Sequence, residues 1–145
     1  MGLDQFAYLA KRKSTNKNIY LYDKPKTGLE IVDEDFFYWR KNRMLNYYMT
    51  MLFKKKAVRP EEKSSEFNCD FLKLEEEDIL GYNKLIEEYK EKTMKIPDEL
   101  LLLCPIDTFY TEFYDEFDED CDRTFIMAAL KAIKSGYDVY YHAWW

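Results

Sequence analysis

A single histidine, His142, carries all the imidazole chemistry open to this 145-residue chain, and no Ser or Cys in a recognised nucleophile motif stands near it in sequence. A lone histidine in a terminal aromatic run is more often a packed ring than a catalyst. The acids Asp115, Glu116, Asp118, Glu119, Asp120 and Asp122 could offer oxygen ligands to Ca²⁺ or Mg²⁺, since hard cations want several carboxylates converging on one point. Successive acids on a helix point in different directions, however, and the glycine that turns a calcium loop is missing. Acids early in a helix also suit its dipole. No metal is expected, and a metal-dependent hydrolase built on these acids ranks last among the functions considered. Cys69, Cys104 and Cys121 are odd in number and lack the spacing of a zinc site or redox pair, so reduced, buried thiols are expected. The glycines Gly2, Gly28, Gly81 and Gly136 are scattered, and none precedes a Lys-Ser/Thr pair, which excludes a phosphate-cradling loop. No catalytic residue and no cofactor is assigned, and an enzyme is not expected.

The chain is instead unusually aromatic. Phe36-Phe37-Tyr38-Trp39, Phe109-Tyr110, Phe113-Tyr114, Tyr140-Tyr141 and Trp144-Trp145 hold more rings than one helix face or one side of a strand can bury, so some must reach the surface. Tyrosine and tryptophan beside arginine, as in Trp39-Arg40, dominate protein interfaces and can also stack on a nucleobase. Trp39, Arg40, Lys41, Tyr114, Trp144 and Trp145 are the candidate binding residues.

Elements that would position these residues follow from periodicity. Leu3 to Lys11 reads as a strand, and Ile19 to Tyr22 with Leu29 to Val32 flank a Pro25/Gly28 turn as a hairpin would. Asp33 or Asp35 is expected to cap a first helix running to about Lys55, its apolar face formed by Phe37, Met44, Leu45, Tyr48, Met51 and Leu52, with Arg40, Lys41 and Arg43 largely outward. Lys54, Lys55 and Lys56 suit the negative end of its dipole. After an exposed loop over Val58 to Glu66, Phe67 to Leu74 reads as a strand entering a second helix, which starts at Glu75 to Asp78 and is ended by Pro97. The apolar run Leu100 to Cys104 is open between strand, helix turn and connector.

The third helix has the clearest stripe: Phe113, Phe117, Cys121, Phe125, Ile126, Ala129, Leu130 and Ile133, capped by Thr111 or Asp115 and closed by Ser135-Gly136. Tyr137 to Trp145 reads as a final strand that can pair with the first. One α+β domain over residues 1–145 is expected: a small antiparallel sheet, with the N- and C-terminal strands included, packed against three helices.

The formal charge of −6, from 22 basic and 28 acidic residues, weighs against tracking a phosphate backbone, so nucleic acid is not expected as a partner. No apolar run is long enough to span a membrane, and the first residues lack the basic flank of a signal peptide. A cytoplasmic protein without membrane contact is expected.

Met1-Gly2-Leu3-Asp4 followed by an aromatic strand, the Tyr38-Trp39-Arg40-Lys41-Asn42 segment, the acidic-aromatic Thr111 to Phe117 stretch and the Trp-terminated tail together resemble a family of small, uncharacterised bacteriophage proteins. The resemblance spans most of the chain, without a counterpart for Asn16 to Val32 or the central loop. It implies a viral gene product in the host cytoplasm, where such proteins bind host or defence proteins. A non-enzymatic accessory protein that binds a host or defence protein is therefore the leading expectation. The alternative is a small-molecule, nucleotide-like binder in which Arg40 or Lys41 meets a phosphate, and the aromatic stripe could equally close a homodimer.

Overall fold

Four strands and three helices make up the described part of the chain, residues 2–18, 29–56, 70–91 and 114–144 of a computed structural model. In chain order they are β1 (Asp4–Lys11), β2 (Ile31–Arg40), α1 (Arg43–Lys56), β3 (Phe71–Leu74), α2 (Glu76–Glu91), α3 (Glu116–Lys134) and β4 (Tyr137–Trp144). The strands form one antiparallel sheet in the order β2-β1-β4-β3, so the first and last strands lie side by side at its centre. This is the expected α+β architecture.

Alternation assigns each strand residue to a face. On the helix-facing side two rows cross the sheet, Trp39–Gln5–Ala143 and Phe37–Ala7–Tyr141–Leu72. Ala7 and Ala143 are the small members of these rows, leaving room for the helices to press against the sheet. Trp39, Ala7, Tyr141, Leu72 and Ala143 are all buried there, in one core with Leu45, Phe53, Ile86 and Phe125.

The segment 33–40, expected as the start of the first helix, is strand. Ile31, Val32 and the run Phe36 to Trp39 favour a pleated surface, and pairing to β1 satisfies a backbone that a helix would otherwise have to close on itself. The register slips twice between β1 and β2, so β2 is bulged and its exposed Asp33, Glu34 and Asp35 guard an outer edge. Lys41, with φ 58, turns the chain in the left-handed region while its N–H donates to the Leu3 carbonyl at 2.8 Å. Asn42 then caps α1, its Oδ1 accepting the Leu45 N–H at 3.1 Å. From there Met44, Leu45, Tyr48 and Leu52 are buried as expected, but Met51 is half-buried and Asn46, Tyr47, Met49, Thr50 and Phe53 are buried as well, so α1 is covered on more than the one expected face.

α2 begins on Glu76, Glu77 and Asp78 as dipole and capping rules require, and Ile79, Tyr82, Leu85, Ile86 and Tyr89 turn inward. Gly81 lets it meet α1 closely: a Cβ there would lie 2.5 Å from the Tyr48 hydroxyl, which donates to the Asp78 carbonyl. Asp115 caps α3 through a reciprocal box with Asp118, and Gly136, with φ 95, ends it and turns the chain into β4. Along α3 the expected stripe needs one correction. Phe117 is 74% exposed, whereas Asp122 is fully buried, because the inward face turns through Asp122, Phe125, Ile126 and Ala129. The expected turn at 24–28, the loop at 58–66 and the run 100–104 lie outside the described residues, as do Cys69 and Cys104; Cys121 is half-buried. No described helix is long and apolar enough to cross a membrane.

Candidate functional site

Two concentrations of chemistry stand on opposite sides of the sheet. On the helix side, the carboxylate of Asp122 accepts four hydrogen bonds: Trp39 Nε1–H at 3.0 Å and Asn42 Nδ2–H at 2.8 Å on Oδ1, and the hydroxyls of Tyr82 at 2.6 Å and Tyr114 at 2.5 Å on Oδ2. The donors come from β2, the turn before α1, α2 and the residue before the α3 cap, so one side chain ties these parts together. Burial pushes the Asp122 carboxyl up to about 6, outweighing the opposite pull of Tyr114, Tyr82, Asn42 and Trp39. Burial also raises both phenols, helped by the Asp122 charge, so they remain protonated donors.

The polar layer continues beneath the sheet. Asn42 exchanges hydrogen bonds with Gln5, whose Nε2 also donates to the Tyr141 hydroxyl at 2.8 Å, and that hydroxyl donates to Asn46 Oδ1 at 3.4 Å. Each of these side chains is buried. With its oxygens fully enclosed, Asp122 organises structure and offers no access to a substrate.

The other side of the sheet is built differently. Tyr38, Phe6, His142 and Phe71, one from each strand, form a row across it in direct register. Their ring centroids are 5.2, 6.2 and 4.5 Å apart in turn. Tyr8 joins the row against Phe6, Phe71 and His142. Arg40, Asp4 and Trp144 form the next row, the Asp4 carboxylate accepting the Tyr38 hydroxyl at 2.7 Å. Tyr38 is 53% and Trp144 52% exposed, while Phe6, Tyr8, Phe71 and His142 are partly covered.

At the opposite end, residues 12–18 fold over the sheet. Asn16 donates to Asp138 at 2.7 Å and the Tyr140 hydroxyl to the Lys17 carbonyl at 3.0 Å, which buries Asp138 and Tyr140. The aromatic surface is thus closed at that end and open toward Arg40 and Trp144.

No family model, curated protein or solved structure matches the chain.

Of the candidate residues, Arg40, Lys41 and Trp144 are exposed at one corner of the open face. Trp39 and Tyr114 are corrected from contact residues to core: both are buried, because β2 alternation turns Trp39 inward and Tyr114 packs edge-on against Tyr89 while bonding Asp122. Trp145 lies outside the described residues. The acids of 115–122 are dispersed, Asp115 and Asp118 in the cap, Glu119 beside Lys90 and Arg123, and Asp122 in the core. Among the described residues no group of three or more His, Cys, Asp or Glu is placed to hold a metal ion.

Sequence reasoning missed Phe6, Tyr8, Tyr38, Phe71 and His142 as one surface. Period-two reading of β1 and β4 puts Phe6, Tyr8 and His142 on one face, but a helix starting at Asp33 or Asp35 takes Tyr38 away from it.

Proposed function

We propose that this is a non-enzymatic binding protein that captures a protein partner at the exposed Tyr38, Trp144 and Arg40 end of the aromatic row on its sheet. The observation that carries the reading is the row Tyr38–Phe6–His142–Phe71, extended by Trp144 and Arg40. Rings held by neighbouring strands present a large contact area with little entropy left to lose, and arginine at the margin is the charged residue most common in interfaces. With the resemblance to small bacteriophage proteins, this reading makes the partner a host or defence protein in the cytoplasm of an infected bacterium.

The test is capture from bacterial lysate with the tagged chain, followed by mass spectrometry. Tyr38→Ala with Trp144→Ala should abolish retention of a stoichiometric protein, and Phe117→Ala, exposed on α3, should leave it intact. Retention unchanged in the double variant would remove the face from the reading.

The runner-up, a nucleotide-like ligand, is favoured by the exposed Arg40 and Lys41 beside Tyr38, where a base could stack and a phosphate find charge. It predicts that nucleotides raise the melting temperature of wild-type protein but not of Arg40→Ala.

A further inference from the structure

We infer that residues 12–18 are a releasable cover on the outer side of the sheet, and that the binding surface in its full extent includes Tyr8 and Tyr140 beside and beneath it. The inference rests on the reading of that side as the binding surface and concerns its regulation. Register places a second outer row behind the first, in which Tyr8 lies opposite Tyr140 and Tyr140 opposite Lys73. Tyr8 meets Phe6 and His142 of the first row, with ring centroids 6.2 and 6.1 Å apart. The rings therefore continue from the exposed Tyr38 and Trp144 toward Tyr140. Tyr8 is half-buried there and Tyr140 is fully buried, its hydroxyl donating to the Lys17 carbonyl of the cover at 3.0 Å.

The cover reads Arg-Lys-Ser-Thr-Asn-Lys-Asn and carries no apolar side chain. Hydrogen bonds and ion pairs fix it to the rest of the described chain. Asp138, buried beneath it, is the latch: Oδ1 accepts Arg12 Nε–H at 3.3 Å and Oδ2 accepts Asn16 Nδ2–H at 2.7 Å. Arg12 also donates to the Ile133 and Tyr137 carbonyls, at 2.7 and 3.0 Å, which roots the segment at the end of α3. Asn16 donates back to the Lys11 carbonyl at 3.0 Å. At the far end Asn18 Oδ1 accepts the Lys73 N–H at 2.8 Å. Lys73 belongs to β3, the last strand of the sheet, so Asn18 supplies an acceptor that a neighbouring strand would otherwise provide.

A cover built this way sits near balance between closed and open. A hydrogen bond exchanged with water nets about as much as ordering one residue of backbone costs, and no buried apolar side chain of the cover adds to the closed side. Lys13, Ser14, Thr15 and Lys17 are exposed. Segments with few apolar contacts open locally before the rest of a fold does. The strands beneath are held from the helix side by Leu72, Leu74, Val139 and Tyr141, so the sheet does not depend on the cover. Opening adds Tyr140 to the rings already in reach of a partner seated on Tyr38 and Trp144. That partner gains the ring only by displacing the cover. A cover closed in about 99% of molecules lowers the apparent affinity for such a partner by about 100-fold.

Hydrogen exchange of the full chain, read amide by amide, together with capture from bacterial lysate tests this. In wild type the Lys73 amide should exchange through an opening far more frequent than global unfolding. Asn16→Ala removes the bonds to Asp138 and the Lys11 carbonyl but leaves the one between Asn18 and Lys73. It should nonetheless speed exchange at Lys73 about tenfold or more, because the cover moves as one piece. With its melting temperature near that of wild type, this variant should also retain several-fold more of the protein that wild type captures when bait is limiting. Asn18→Ala, which cuts the other end, should raise capture in the same way and decides the matter if Asn16→Ala does not fold. A Lys73 amide that exchanges only with global unfolding, or a folded variant that retains no more protein than wild type, overturns the inference. If the cover variants gain nothing while Tyr38→Ala with Trp144→Ala loses capture, the cover falls and the binding surface stands. If that double variant captures as wild type does, the binding surface falls and the cover's regulatory role with it.

Discussion

The two faces of one sheet use aromatic residues in opposite ways. Under the helices, Ala7 and Ala143 interrupt the rows of larger side chains, and the polar atoms of the rings find partners: Trp39 on Asp122, Tyr141 between Gln5 and Asn46. On the outer face all four strands place a ring in the same row, and no small residue interrupts it. The first arrangement is how a fold fills its own interior; the second presents rings outward. Aromatic content alone therefore says little about function, and the strand parity of each ring decides whether it packs under the helices or lies on the outer face.

The largest expected effect lies on the inner side. Asp122→Ala strips the acceptor from four donors and should cost upward of about 4 kcal/mol, at roughly 1–3 kcal/mol for each buried group left unsatisfied, so the chain melts far below wild type or fails to fold. A small loss in chemical denaturation would contradict the structural role of the cluster. Asp122→Asn keeps the shape and removes the titration. The folded carboxyl, raised to about 6 from its ordinary value of 3.8, holds its proton more tightly than the unfolded one. Stability from this group is therefore fully present below about pH 4 and lost as pH rises to about 6, by on the order of 3 kcal/mol. The Asp122→Asn variant should flatten that slope in denaturant titrations across this window, and an unchanged slope would place the titration elsewhere.

Gly81→Ala should cost about 1–3 kcal/mol, because its methyl meets the Tyr48 hydroxyl, which is buried and hydrogen-bonded to the Asp78 carbonyl. Tyr48→Phe in the same chain should recover part of the loss by removing the clashing oxygen; no recovery would move the clash to another atom. Smallest of all, Tyr38→Ala with Trp144→Ala should change stability by less than about 1 kcal/mol, as expected of half-exposed side chains, while removing the binding function.

Much of the fold was legible in the sequence. The strand at Leu3, the Phe125, Ile126 and Ala129 part of the α3 stripe with its Asp115 cap and Gly136 stop, and the final strand all carry local signals that the tertiary structure obeys. Residues 33–40 were not legible, because acids followed by aromatics satisfy a helix cap and a bulged edge strand equally, and only pairing with β1 decides. That one misreading also hid the candidate surface. Trp39 and Tyr38 exchange roles when 31–40 becomes strand, the tryptophan turning to Asp122 and the tyrosine to the open face. Asp122 itself looked like one more acid in a charged run. Its burial follows from the rotation of α3, which places it in line with Phe125, Ile126 and Ala129, whereas Phe117 is carried to the surface.

The central claim is that recognition resides on the outer face and stability on the inner one. Capture from bacterial lysate by wild type, by Tyr38→Ala with Trp144→Ala, and by Asp122→Asn, each with its melting temperature, tests it most directly. The predicted result is a stoichiometric protein retained by wild type and by Asp122→Asn but lost from the double variant, whose melting temperature stays near that of wild type. Retention of the same protein by the folded double variant would contradict the account.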